Sequence, residues 1–299
     1  MRTVTSGISS IITIGMLAGS VIGVAAQSEE SAQDAAGPQL TDALAYGGDP
    51  KQVVYAYEPE PRDAPRPAVV HFHGGGLVEG EPLEDAEWAK SFAEQGYVTF
   101  LAGYRLLDEV TGENLWPTQL EDAQQALQWV RTNADEFNVD PERVCAVGFS
   151  SGGLLASMVG MTEAAMASDA EETGVSSRAD CVITLSGDND YLVPYAYPAW
   201  TRTLEILLGG TTEDAPERWE AASPVYNADA ETVPFLIVHG NRDTVNPIEM
   251  SRNLADALAA AGTEYIYAEV AASHEGVMDH DTTGELLAAF LTLRLRPDA

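Results

Sequence analysis

Positive charge is scarce in this 299-residue sequence. Lys and Arg number 15 against 47 Asp and Glu, the lysines are Lys51 and Lys90 alone, and the formal net charge is -32. Such a surface repels nucleic acid and anionic membranes and excludes both as partners. Its self-repulsion weakens as salt screens it, which points to a saline habitat.

Cysteine is almost as scarce. Cys145 and Cys181 have neither CxxC nor metal-ligand spacing, so a zinc site is not expected, and no metal or organic cofactor is implied. Each lies five residues ahead of the serine that ends its apolar run, Ser150 or Ser186. On neighbouring parallel strands the two thiols would be level. A disulfide and two separate buried thiols are both open readings.

Long charge-free apolar runs are missing except at the start. Residues 1–26 carry Arg2, an apolar stretch over 8–24 and a small-residue exit at Val24, Ala25 and Ala26. This is the pattern of a secretory signal cleaved after Ala26, with an extracellular or periplasmic product. A transmembrane anchor is the rival, but Gly15, Gly19 and Gly23 thin the run, and no stable membrane insertion is expected after cleavage. No cysteine follows the run, so a bacterial-type lipid anchor is not indicated. Residues 27–45 are expected to be a flexible mature N-terminus, and residues 46–299 one domain.

Within that domain strand and helix patterns alternate, and no internal repeat interrupts them. Apolar runs at 52–57, 68–72, 97–102, 144–147, 181–185, 234–239 and 264–270 read as strands, several apolar enough to be buried on both faces. Helical patterns fall at 84–95, 120–133, 154–158, 248–261 and 284–295, with Gly96 and Gly262 as stops and a turn expected at Asp140 and Pro141. The alternation predicts an α/β fold, a mostly parallel sheet with helices on both faces. Residues 162–178 and 187–231 do not fit it. The second is rich in Tyr, Trp and Pro and is expected to form an excursion over the sheet's carboxyl edge, with Tyr191, Tyr195, Tyr197 and Trp200 as candidate substrate contacts.

The chemistry centres on residues 144–153, VCAVGFSSGG. A strand, a cramped G-x-S-x-G turn and a helix-compatible segment form a nucleophile elbow, with Ser150 projecting above the sheet. A serine nucleophile needs a base, an acid that orients the base, and donors for the oxyanion. His274, in the loop before the last helix, is the candidate base, and Asp243, just past the 234–239 strand, the candidate acid; Asp188 and Asp190 are runners-up. Asp243 also suits a turn residue bonding its own backbone. The amides of Gly74, Gly75 or both, with that of Ser151, would form the oxyanion hole. His73 is expected to shape the glycine loop, His71 and His239 to be structural, and His280 to be a solvated loop residue.

Five stretches carry a family resemblance: HFHGGGLVEG (71–80), GYRL (103–106), DPERVCAVGFSSGG (140–153), LLGGTTEDAPERWEAASPV (207–225) and FLIVHGNRDTVNP (235–247). Across residues 52–295 the chain resembles α/β-hydrolases of the carboxylesterase type with an HGGG oxyanion loop. It is most similar to bifunctional feruloyl and acetyl-xylan esterases, and it lacks the N-terminal helical cap of hormone-sensitive-lipase-like enzymes. The resemblance implies an α/β-hydrolase fold with a small lid at the carboxyl edge. It also implies hydrolysis of small or polymer-borne carboxylic esters, including acetyl or feruloyl esters of polysaccharides. Arylformamidase- or oligopeptidase-like amide cleavage, lipase activity and a non-catalytic binding role are the alternatives. Two residues depart from that family's pattern: Ser151 stands where Ala is usual, and Glu275 follows His274 where Gly is common.

The charge imbalance makes a direct prediction. The thermal midpoint of unfolding should rise from low salt to about 1 M salt as the Debye length falls, and a flat or falling curve would contradict the saline reading.

Overall fold

In the computed structural model the described residues are 37–60, 63–163 and 174–296. The expected signal segment and the middle of the 162–178 stretch lie outside them. Among the described residues nine strands join one sheet: β1 (Gln39–Leu40), β2 (Leu44–Ala45), β3 (Val53–Glu58), β4 (Arg66–Phe72), β5 (Val98–Ala102), β6 (Val139–Phe149), β7 (Cys181–Leu185), β8 (Phe235–Gly240) and β9 (Tyr265–Val270). Their order is β1-β3-β5-β4-β6-β7-β8-β9, with β2 also on β3. Every pairing from β5 across to β9 is parallel, and β1, β2 and β3 make the antiparallel edge.

Parallel neighbours need crossovers, and seven α-helices among the described residues accompany them: α1 (Ala86–Glu94), α2 (Thr118–Thr132), α3 (Ser151–Met161), α4 (Pro198–Leu207), α5 (Pro216–Ala221), α6 (Glu249–Ala261) and α7 (Asp281–Leu295). Strands β4, β5, β7 and β8 are buried along their whole lengths, as a sheet covered on both sides requires. The side chains divide by the strand period of two. Ala68, Val70 and Phe72 of β4 pack into one core with Leu127 of α2, Leu154 and Leu155 of α3, and Leu254 and Leu258 of α6. Val69 faces a second core with Phe92 of α1 and Leu287, Phe290 and Leu291 of α7. Each such Val, Leu or Phe contributes about 1.5–3 kcal/mol on burial, so the two cores together hold the sheet between its helices.

Two expectations are corrected. Of the stretch 27–45 expected to be flexible, residues 27–36 lie outside the described residues, and β1 and β2 tie the rest to the sheet by pairing with β3, Gln39 opposite Glu58 and Leu44 opposite Val54. The turn at Asp140 and Pro141 is a bulge inside β6: Arg66 pairs with Val139 and Ala68 with Val144, so residues 140–143 face a single residue of β4. Asp140 holds it, accepting from the Glu142 amide at 3.1 Å and the Arg143 guanidinium at 2.7 Å. The excursion 187–231 contains α4, α5 and a 3-10 turn at Pro224–Tyr226.

Cys145 and Cys181 are register partners on β6 and β7 with Cα atoms 4.6 Å apart, and a disulfide joins them. No free cysteine remains among the described residues. A loop of 36 residues closed this way constrains the unfolded chain by about 4 kcal/mol in the chain-entropy picture. Replacing both cysteines by alanine should lower the unfolding free energy by about 2–5 kcal/mol in urea titrations. Thiol titration in denaturant without reductant should find no free thiol in the unaltered protein.

Candidate active site

Strand β6 delivers the chain to Ser150 in an unusual backbone state, φ 55° and ψ -125°. Non-glycine residues avoid this region at a cost of about 1–3 kcal/mol, so the surroundings must hold it. The Ser150 amide donates to the Leu185 carbonyl at 2.9 Å, and its own carbonyl accepts the Gly153 amide at 2.9 Å. Two glycines make the turn fit: a Cβ on Gly148 would lie 2.0 Å from the Gly152 carbonyl oxygen, and one on Gly152 would lie 2.0 Å from that of Phe72. The side chain of Ser150 is thereby lifted above the sheet at the start of α3.

The loops after β8 and β9 bring the other two residues to it. His274 Nε2 is 3.0 Å from Ser150 Oγ, and His274 Nδ1 is 2.7 Å from Asp243 Oδ2. A carboxylate only accepts, so Nδ1 carries the proton, and the Nε2 lone pair faces the serine hydroxyl. Ser150 is 8% and His274 6% exposed, so the pair is dry on most sides yet open to a cleft. The Phe149 ring lies 4.7 Å from the imidazole, centroid to centroid.

Asp243 divides its oxygens. Oδ1 accepts the amides of Val245 and Asn246 at 2.8 and 2.9 Å, which is the turn bonding its sequence position suggests. Oδ2 takes His274 and also lies 3.3 Å from His239 Nε2. His239 Nδ1 meets the Ser251 hydroxyl at 2.7 Å, and its Nε2 meets the Asn246 carbonyl at 3.2 Å. Since Nε2 faces acceptors, it carries the proton, and Ser251 donates to Nδ1. Burial alone would raise the Asp243 pKa, but hydrogen bonds from His239, His274 and the Val245 amide hold it far below the usual carboxylate range.

The glycine loop closes the other side. A Cβ on Gly74 would sit 3.4 Å from Ser150 Cβ, and Gly75, at φ 112°, has no room for a side chain because the Glu79 carbonyl would lie 2.0 Å away. Among the described residues no acceptor within the chain takes the amides of Gly74, Gly75 or Ser151. Ser151 opens α3, where unpaired amides and the helix dipole favour negative charge. His73 shapes this loop, bonding the Gly74 carbonyl at 2.7 Å and stacking on Tyr104 at 4.3 Å. Burial lowers its pKa to about 4, so it is neutral at pH 7. His71 is buried beneath the loop, its pKa lowered to about 3 by desolvation. His280 caps α7 by accepting the Thr282 amide at 3.2 Å.

The excursion walls a narrow cleft beside Ser150, lined on that side by Asp188, Tyr191, Tyr195, Trp200 and Leu204. Tyr197 is 53% exposed and does not line it. Of the two runner-up acids, Asp190 is bound to Asn253 at 2.7 Å and to the Leu192 amide at 3.1 Å, a structural brace. Asp188 faces the cleft. Sequence reasoning missed His239 as a partner of Asp243, and missed Asn246, whose side chain donates to the Ser186 carbonyl at 2.7 Å and ties the acid's turn to the end of β7. The spacing of four between His239 and Asp243 was the available signal, but it needs the turn at residues 240–243 to acquire meaning.

A mostly parallel sheet flanked by helices, with a serine elbow after its central strand, defines the α/β-hydrolase fold, the class expected. The chain belongs to the BD-FAE family, whose family model matches residues 55–258. Esterase LipC of Mycobacterium tuberculosis is 28% identical over 249 residues, covering 80% of this chain and 60% of LipC. The probable carboxylic ester hydrolase LipM of the same organism is 26% identical, covering 68% of this chain and 48% of its own. This chain thus spans about half to three-fifths of these relatives. Among solved structures, the thermophilic esterase Est2 of Thermogutta terrifontis superposes with a TM-score of 0.69 at 26% identity, covering 86% of this chain and 94% of that one. A truncated carbohydrate esterase from gut microbiota superposes with a TM-score of 0.76 over 87% of this chain and 98% of its own; at 21% identity that likeness speaks for the fold.

The depressed pKa of Asp243 makes a pH prediction. A carboxylate whose pKa falls on folding adds stability that is complete above its unfolded value, about 3.9, and is withdrawn as pH drops towards the folded value. The difference in unfolding free energy between the unaltered protein and Asp243→Asn should therefore shrink as pH falls below about 4. Urea titrations across that range measure it.

Proposed function

We propose that the protein is a serine carboxylic-ester hydrolase working through an acyl-enzyme. The observation that carries this reading is the hydrogen-bonded chain from Asp243 Oδ2 through His274 to Ser150 Oγ, at 2.7 and 3.0 Å, on a serine held at φ 55°. His274 takes the hydroxyl proton as Ser150 Oγ bonds to the acyl carbon, and Asp243 stabilises the imidazolium. The amides of Gly74, Gly75 and Ser151 receive the oxyanion. As that intermediate collapses, the bond to the alcohol oxygen breaks and the imidazolium hands it the proton. Water then repeats the sequence against the acyl-enzyme and releases the acid.

Acetyl or other short acyl esters borne by polysaccharides suit this site. The narrow cleft and its aromatic wall support that reading, as does the resemblance of residues 207–225 to feruloyl and acetyl-xylan esterases. Export is part of the same reading, supported by the signal-like pattern of residues 1–26 and by a disulfide that an oxidising compartment preserves.

A fluorophosphonate probe should label Ser150, located by mass spectrometry. Ser150→Ala should lose the label and reduce hydrolysis of nitrophenyl acetate by about four powers of ten or more. Unchanged turnover in that variant would defeat the assignment, and a panel of matched esters and amides would reveal a preference for the amide bond.

A further inference from the structure

The proposed mechanism leaves one buried carboxyl group in the site unused. Asp188 is 5% exposed, follows β7, and lines the same cleft as Ser150. In a chain with 47 acidic residues, most carboxylates can stay in water; one placed in an aromatic cleft is desolvated and demands a partner. The Tyr195 hydroxyl supplies one, donating to Oδ1 at 2.9 Å, and the Asn246 side chain adjoins the carboxyl as well. A carboxyl group has about four acceptor positions, so these two leave capacity that the protein does not fill. The rest of the cleft's far wall, Tyr191, Trp200 and Leu204, is apolar in character. Asp188 is therefore the carboxyl group that an occupant reaching past Ser150 would meet, with the Asn246 amide beside it.

We infer that Asp188 is a specificity-determining residue that bonds a hydroxyl group carried by the substrate near its ester. This inference rests on Ser150 being the nucleophile. A hydroxyl suits the position in either protonation state, since the carboxylate accepts and the carboxylic acid donates. Burial pushes the group's pKa up, partly offset by the Tyr195 hydrogen bond. A site built around a buried hydrogen-bonding group discriminates strongly against analogues that lack the matching hydroxyl, because the group is then left unpaired. An anchor that merely held Tyr195 and Asn246 in place would treat both kinds of ester alike.

Two pairs of near-isosteric esters test this. In 2-hydroxyethyl acetate against propyl acetate the hydroxyl is on the alcohol; in ethyl hydroxyacetate against ethyl propanoate it is on the acyl group. The readout is kcat/KM by pH-stat, with each pair's ratio divided by its ratio in alkaline hydrolysis to remove intrinsic reactivity. The unaltered enzyme should favour the hydroxylated member of one pair by about ten-fold or more, and the identity of that pair says which side of the ester enters the cleft. In Asp188→Asn that preference should fall several-fold, while fluorophosphonate labelling of Ser150 reports that the site is assembled. If that variant does not fold, Asp188→Ser is read in the same way. Equal ratios in both pairs for the unaltered enzyme, or a preference that survives the substitution, would overturn the inference while leaving the esterase reading intact. Failure to hydrolyse any of the four esters, with no label on Ser150, would overturn both.

Discussion

Gly148 and Gly152 pass backbone to backbone with no room for a methyl group, and the Phe72 carbonyl leaves none on the far side of Gly152. That contact among β4, β6 and α3 lets the chain reverse sharply enough to put Ser150 at positive φ. It also brings the glycine loop after β4 against the serine. Ser150, the unpaired Ser151 amide and the amides of Gly74 and Gly75 are thus positioned by one packing constraint. The strain at Ser150 is held by bonds to both neighbours: its amide to Leu185 of β7, its carbonyl to the first turn of α3. The disulfide joins the same two strands five residues below.

The His–Asp half of the site depends on a second economy of placement. Asp243 meets its local turn with one oxygen and the imidazoles with the other, so the turn that holds it does not compete with its partner His274. His239, itself set by Ser251, adds a second donor to the same oxygen. A buried carboxylate with four donors needs no proton of its own. It can keep the Nδ1 proton on His274 and leave Nε2 free for the serine.

Much of this was legible because the chemistry is written locally. G-x-S-x-G between an apolar run and a helix carries its own geometry, and the α6 stop at Gly262 appears as expected, at φ 78°. The order Ser150, Asp243, His274 follows from which strand ends precede which loops. What was not legible depends on chain reversal or on pairing without pattern. Strands β1 and β2 are two residues each and largely exposed, so no hydrophobic period announces them. The bulge at residues 140–143 conserves the Asp-Pro turn chemistry yet lies within a strand, a distinction set by register with β4 alone. His239 reads as the end of a buried strand, and only the turn donating the Asp243 amide to the Gly240 carbonyl at 3.0 Å folds the acid back onto it.

Two carboxyl groups now stand near one imidazole, and their environments push them apart. Both suffer desolvation, which favours the neutral form. Asp243 has two imidazole donors and two backbone amides, and stays ionised. Asp188 has a phenol and an amide, which offset burial incompletely, so its pKa rises. The Asp243 charge adds to that rise, since a second anion nearby is disfavoured. The same electrostatics that hold one group as a counter-charge for the imidazole therefore shift the other towards its neutral form. Donor count and the charge of those donors, together with burial, separate a group suited to steadying charge from one suited to meeting a neutral hydroxyl.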